Sequence, residues 1–88
     1  MKPLNYAILK HFTKHGKSSV HEVMEVLKED YENFKSFNKS AVINALMTAE
    51  ANGLIAEIDA DLDENGEVII YYEASEESKN IINTFIED

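Results

Sequence analysis

The 88-residue chain contains no cysteine, no arginine and a single proline, Pro3. Without cysteine, disulfides and zinc sites built on thiolates are excluded, and a reducing cytoplasm is the expected location. Without arginine, the guanidinium fork that binds guanine or phosphate through paired hydrogen bonds is absent. No apolar run approaches the roughly 20 residues that a membrane-spanning helix needs, so no membrane partner is expected.

The amount of charge is ordinary, but its distribution is uneven. Residues 1–48 hold seven lysines against five acids, a balance of +2, whereas residues 49–88 hold one lysine against twelve acids, a balance of −11. The first half can therefore approach phosphates, and the second half is repelled by them. The length and the hydrophobic content of 44% predict one folded domain spanning residues 1–88.

Two helices are predicted near the start of the chain. Apolar residues recur every four positions and predict a first helix over residues 3–15, followed by Gly16 in a left-handed conformation. Ser19 and Glu22 have the spacing of a capping box, so the second helix should begin at Ser19. Its predicted apolar face consists of Val20, Val23, Met24, Leu27 and Tyr31.

A third helix is predicted from about residue 39 to residue 52, with Asn38 or Ser40 as its cap. Phe34 and Phe37 should anchor the connector before this helix to the core. Its predicted inner face consists of Val42, Ile43, Leu46, Met47 and Ala49. Its predicted outer face consists of Lys39, Ser40, Ala41, Asn44, Ala45, Thr48 and Asn52.

Two runs of alternating residues then predict a β-hairpin. A two-residue turn at Asn65 and Gly66 would pair Leu62 with Ile69 and mix apolar and acidic side chains on one face. A three-residue loop from Glu64 to Gly66, with Gly66 in a left-handed conformation, keeps the apolar residues together and is preferred. In that register, Leu62 pairs with Val68, Ala60 with Ile70, and Ile58 with Tyr72.

A final helix is predicted to begin near Ser75, with two glutamates in its first turn. Its apolar stripe consists of Ile81, Ile82, Phe85 and Ile86. This stripe can pack against the chain's own core or against a second copy of the chain, so a homodimer is left open.

Three helices followed by a hairpin is the order of elements in winged-helix proteins. The segment from Ser40 to Ile55, with Leu46, Glu50 and the Gly53-Leu54-Ile55 exit, resembles the recognition helix of bacterial regulators of the MarR and PadR groups. The opening residues 4–10 are similar to the first helix of PadR-like and YjcQ-like proteins. The resemblance implies an α+β winged helix with a three-helix core, a two-stranded hairpin called the wing, and a C-terminal helix.

The resemblance also implies a DNA-binding domain of a bacterial transcription regulator, with double-stranded DNA as its partner. If the third helix enters a major groove, Lys39 and Ser40 contact the backbone, with Lys35 nearby, and Asn44 and Thr48 face base edges. The wing departs from the family pattern, because its tip carries acids where lysine or arginine is usual. The alternative is a protein-interaction module whose acidic hairpin binds a basic protein surface.

Other chemistry has weaker support in the sequence. His11 and His15 lie one helical turn apart, and Asp61, Asp63 and Asn65 match half of a calcium-binding loop, but neither set is completed by further ligands. No nucleophile motif or glycine-rich phosphate loop is present. The expectation is therefore a non-enzymatic chain without a metal or a cofactor.

Overall fold

The structure, a computed structural model, describes residues 1–88 and contains four helices and one antiparallel sheet. In chain order, the elements are α1 (Leu4–Lys14), β1 (Ser18–Ser19), α2 (Val20–Tyr31), α3 (Lys39–Ala51), β2 (Ala56–Leu62), β3 (Val68–Glu73) and α4 (Glu76–Phe85). This order confirms the predicted α+β arrangement. None of the helices has the length and the apolar character needed to cross a membrane.

The sheet has one strand more than predicted. Its order is β1-β3-β2, because Ser18 and Ser19 pair with Tyr72 and Tyr71 of the hairpin. A strand of two serines has no apolar alternation, so the sequence carries no pattern that reveals it. The added strand attaches the wing to the start of α2.

The helix caps follow the sequence closely. The capping box of α2 is confirmed: Ser19 Oγ accepts a hydrogen bond from the Glu22 amide at 3.3 Å, and the Ser19 amide donates to Glu22 Oε1 at 3.0 Å. Asn38, not Ser40, caps α3, since Asn38 Oδ1 accepts a hydrogen bond from the Ala41 amide at 2.9 Å. These bonds satisfy amides that have no partner within their helix.

The left-handed conformation predicted at Gly16 is wrong. Only Gly53 and Gly66 have positive φ angles, 76° and 80°. The chain leaves α1 through an extended His15 and runs directly into β1, so no reversal is needed at Gly16. The reversal occurs at Gly53, after α3.

The wing has the predicted three-residue loop. The Asp63 amide donates to the Glu67 carbonyl at 2.9 Å, and the Gly66 amide donates to the Asp63 carbonyl at 3.0 Å. The pairs Leu62–Val68 and Ala60–Ile70 are confirmed. Pairing of Ile58 with Tyr72 is wrong, because a register shift leaves Ile58 unpaired and places Glu57 opposite Tyr72.

The core lies between the three helices and β3. Its buried residues are Ile8, Phe12, Val23, Val42, Leu46, Ala49, Ile55, Tyr72 and Ala74. Two predictions about the core are wrong, because Phe34, the expected anchor of the connector, and Met47, expected on the inner face of α3, are both exposed. Successive residues of a helix are about 100° apart, so Met47 points away when Val42, Leu46 and Ala49 point inward. Ala45, predicted on the outer face, packs against the core instead.

The last helix docks on α1 with half of its apolar stripe. Ile82 and Ile86 are buried, whereas Ile81 and Phe85 are exposed. The buried Lys10 fixes the end of α4, because its ammonium donates to Asn83 Oδ1 at 2.6 Å and to the Ile86 carbonyl at 3.1 Å. Packing against α1 therefore accounts for the burial of Ile82 and Ile86. The homodimer stays a prediction.

Stability should depend strongly on Leu46, whose side chain is 1% exposed in the centre of the core. We expect Leu46→Ala to lower the free energy of unfolding by about 2–5 kcal/mol, since the truncation leaves a cavity. Leu27→Ala is the matched control and should cost less, because Leu27 is only partly buried against the core. Urea denaturation measures both, and equal losses would contradict this account of the core.

Candidate nucleic-acid interface

The predicted contact residues lie exposed on and just before α3. Lys35, Lys39, Ser40, Asn44 and Thr48 are all accessible to solvent. The two lysines flank the cap of the helix, and the Asn38 amide group donates to the Lys35 carbonyl at 3.1 Å. This bond ties the backbone of the connector to the first turn of α3.

Most lysines of the chain are already paired with acids. The ion pairs are Lys10–Asp88 (3.0 Å), Lys14–Asp88 (3.1 Å), Lys17–Asp59 (2.9 Å), Lys28–Glu25 (4.0 Å) and Lys79–Glu76 (3.0 Å). Lys2, Lys35 and Lys39 have no such partner. Because no acid occurs between Glu32 and Glu50, unpaired positive charge is concentrated at the start of α3.

The polar side chains along α3 are free to bind an external partner. Asn44 and Thr48 line one side of an open groove between α1 and α3 and make no side-chain hydrogen bond within the chain. Thr13 and Thr84, by contrast, each donate a hydrogen bond to a carbonyl of their own helix, at 2.7 Å and 2.8 Å. The hydroxyl of Thr48 and the amide of Asn44 therefore keep their full hydrogen-bonding capacity.

Met47 is a residue of this face that the sequence interpretation missed. Its side chain is 56% exposed, and the helical angle places it on the outward side together with Ser40 and Asn44. The apolar pattern of α3 runs continuously from Val42 to Met47 except at Asn44, so the pattern alone did not show where the buried face ends.

The wing presents different chemistry on its two faces. Val68 and Ile70 line a groove with Lys39 and Ile43, so the apolar face is turned toward α3. Asp59 and Asp61 lie opposite Tyr71 and Ile69, on the other face of the hairpin. Asp59 and Asp61 therefore point away from the groove beside α3, whereas the register shift leaves Glu57 on the apolar face, opposite Tyr72.

Lys17 neutralises part of the acidic face. Its ammonium donates to Asp59 Oδ2 at 2.9 Å and lies 5.1 Å from the centre of the Tyr71 ring. The hydrogen bond between the two groups is the main cause that lowers the pKa of Asp59 and raises the pKa of Lys17. The ammonium of Lys17 is therefore already paired with an acid of the wing.

The calcium-like motif at the wing tip has a local role. Asp63 Oδ1 accepts hydrogen bonds from the amides of Asn65 and Glu67, at 2.8 Å and 2.9 Å. This is the turn chemistry expected of an aspartate in a hairpin loop. No group of three or more histidines, aspartates or glutamates is arranged to hold a metal ion.

His11 belongs to the core, although its spacing from His15 first suggested a metal pair. His11 is buried, its Nε2 lies 2.9 Å from Ser18 Oγ, and its ring stacks on His15 with 4.5 Å between centroids. Burial, and after it the charge of His15, lowers the pKa of His11 from 6.5 to about 4. The residue therefore joins α1 to β1 in its neutral form.

Comparison with known proteins identifies the fold. No family model and no curated protein matches the sequence. The structure is similar to that of Bacillus subtilis PadR in complex with operator DNA, with a TM-score of 0.75 and 20% identity over 97% of this chain. The chain has the winged-helix fold. It spans about half of the PadR chain, 48%.

Two further solved structures are similar to this chain over most of its length. A protein of Thermoplasma acidophilum described as a transcriptional regulator gives a TM-score of 0.70 at 16% identity, over 91% of this chain and 73% of that one. A PadR-like transcriptional regulator of Bacillus cereus gives 0.67 at 17% identity, over 93% and 76%. The resemblance to PadR proteins inferred from the sequence is thus confirmed at the level of the winged-helix fold.

The buried His11 should make stability depend on pH. Below pH 6.5 the unfolded chain binds a proton at this histidine, whereas the folded chain does not until about pH 4. Stability present above pH 6.5 is therefore lost as the pH falls from 6.5 toward 4. We expect His11→Asn to flatten this loss when urea midpoints are compared at about pH 7 and about pH 5.

His21→Asn is the control, because His21 is exposed on the first turn of α2. It should leave the pH dependence of the urea midpoint as in the wild type. A loss of stability on acidification that is equally steep with and without His11 would contradict the assignment.

Proposed function

We propose that this winged-helix domain binds double-stranded DNA with α3 as its recognition helix, as part of a bacterial-type transcription regulator. The observation that carries the proposal is the start of α3, where the unpaired Lys35 and Lys39 stand in a segment free of acids. The similar PadR structure contains operator DNA, which supports the same use of this fold.

In this proposal the lysines and Ser40 contact phosphates and set the position of the helix. Lys35 and Lys39 lie at the amino-terminal end of α3, where the helix dipole adds favourable potential for a phosphate. Asn44 and Thr48, farther along the helix, have hydrogen-bonding groups for base edges. Two lysines neutralise few phosphates, so binding should be weak and sensitive to salt.

The wing has a limited role in this mode of binding. The acids of β2 repel phosphates, and two of them, Asp59 and Asp61, lie on the face turned away from α3. Only the apolar face, beside Lys39 and Ile43, can adjoin a duplex held by α3. The proposed role needs no catalytic group or cofactor, and it places the protein in the cytoplasm.

A second candidate is a protein-interaction module that uses the wing. The observation that favours it is the hairpin tip, where Leu62 and Val68 are 63% and 65% exposed beside several exposed acids. An exposed apolar pair with acids around it is complementary to a basic protein surface with an apolar centre. In this case α3 is scaffold and the wing is the functional surface.

The lysine hypothesis is tested by the double variant Lys35→Gln and Lys39→Gln. We expect weaker binding to every labelled duplex and a salt slope smaller by about two, because each lysine–phosphate contact releases counterions. Fluorescence anisotropy from about 50 mM to about 200 mM salt measures both quantities.

The matched control is Lys28→Gln with Lys79→Gln, which changes the net charge equally but removes lysines that are already paired with acids. It should leave the affinity and the salt slope close to those of the wild type. Equal effects of the two double variants would mean that net charge, not a site at α3, controls binding. Failure of the wild type to bind any duplex at about 50 mM salt would refute the DNA proposal.

The two candidate functions predict opposite effects of neutralising the wing. For Asp61→Asn, Asp63→Asn and Glu64→Gln combined, we expect duplex binding to stay the same or strengthen, because repulsion of phosphates is reduced. Asparagine at position 63 can still accept the turn hydrogen bonds. Loss of binding to a lysine-rich protein such as a histone tail, with duplex binding absent, would instead assign function to the wing.

A further inference from the structure

The outward face of α3 is uncharged between Lys39 and Glu50. The exposed residues in this stretch are Ser40, Asn44, Met47 and Thr48. A face of this kind can discriminate bases only through an amide, hydroxyls and methyl groups. Because only these groups are present, the base pairs that the face of α3 prefers can be predicted. The prediction rests on the proposed DNA-binding function.

Guanine and cytosine have no selective partner on this face, because the hydroxyls of Ser40 and Thr48 can bond to any base. Guanine is read in the major groove by arginine or lysine, and cytosine by a carboxylate. The chain has no arginine, and no lysine follows Lys39 within α3. Glu50 lines an open groove together with Glu57 and Glu73 of the hairpin. Its carboxylate is therefore on the wing side of the helix.

Adenine and thymine, by contrast, both have a suitable partner. The amide of Asn44 is exposed, makes no hydrogen bond within the chain, and has the donor and acceptor that match N7 and the N6 amino group of adenine. Met47 lies three residues along the same face, 56% exposed, and a flexible thioether side chain suits contact with the C5 methyl group of thymine.

From this pairing we propose that α3 reads A·T base pairs, with Asn44 on adenine and Met47 on a thymine methyl group one step away along the groove. The side chains at positions i and i+3 of a helix lie on neighbouring parts of one face, so the two can contact adjacent base pairs. The exposure of a large apolar side chain at position 47 then has a functional reason, because DNA covers it.

The test begins with selection of bound duplexes from a random-sequence pool by the wild-type chain. A·T pairs should be enriched at adjacent positions of the selected site. Two modified duplexes then remove single groups: deoxyuridine in place of thymidine removes the C5 methyl group, and 7-deazaadenine removes N7. Each change should weaken wild-type binding about fivefold or more in fluorescence anisotropy.

The protein variants show which residue makes each contact. Asn44→Ala should bind the 7-deazaadenine duplex and its parent equally, and Met47→Ala should bind the deoxyuridine duplex and its parent equally. Met47→Leu keeps an apolar side chain and should retain part of the sensitivity to the methyl group. Asn33→Ala, an exposed asparagine in the connector, is the control and should behave as the wild type.

The outcomes separate this inference from the function on which it rests. If the wild type enriches no duplex at about 50 mM salt, DNA binding itself fails and the inference fails with it. If duplexes are bound but G·C pairs or no pairs are enriched, the inference is overturned and DNA binding stands. The same holds if Met47→Ala or Asn44→Ala keeps the full sensitivity to its modified duplex.

Discussion

The burial of Val42, Leu46 and Ala49 fixes the rotation of α3 about its axis, and the candidate interface depends on that rotation. With these three side chains in the core, the helical period of about 100° per residue turns Asn44 and Met47 outward. A rotation by one residue that turned Ile43 and Met47 inward would bury Met47 and change which polar groups of α3 face solvent. Packing energy in a small core thus determines which groups are available to a partner.

Charge at the interface is set by pairing elsewhere in the fold. Lys17 is held by Asp59 of the wing, and Lys10 and Lys14 are held by Asp88 at the end of the chain. Such surface pairs add little stability individually, but they remove lysines from the set that can meet phosphates. What remains near α3 is a small positive site on a protein with a net charge of −9. In the proposed complex with DNA, specific contacts of uncharged side chains would therefore supply much of the discrimination between sequences.

The wing shows how alternation separates two kinds of surface on one short hairpin. Because successive side chains of a strand point to opposite faces, the apolar face with Val68 and Ile70 borders α3, and Asp59 and Asp61 face the other way. The edge strand β2 carries these acids, and charge on an exposed edge discourages pairing with a strand of another molecule. The same residues thus protect the sheet and leave the groove beside α3 free of carboxylates.

The sequence by itself determined the four helices and the hairpin, the Ser19–Glu22 capping box and the Glu64–Gly66 loop, because each of those features is made by hydrogen bonds between residues close together in the chain. The strand β1 was missed, since it pairs with the distant Tyr71 and Tyr72. The sequence also predicted the exposure of Lys39, Asn44 and Thr48. Only the tertiary structure decided that Met47 faces solvent, that His11 is buried against Ser18 and that Lys17 pairs with Asp59. These features depend on contacts between separate elements, and local patterns of residues do not specify how one element is rotated against another.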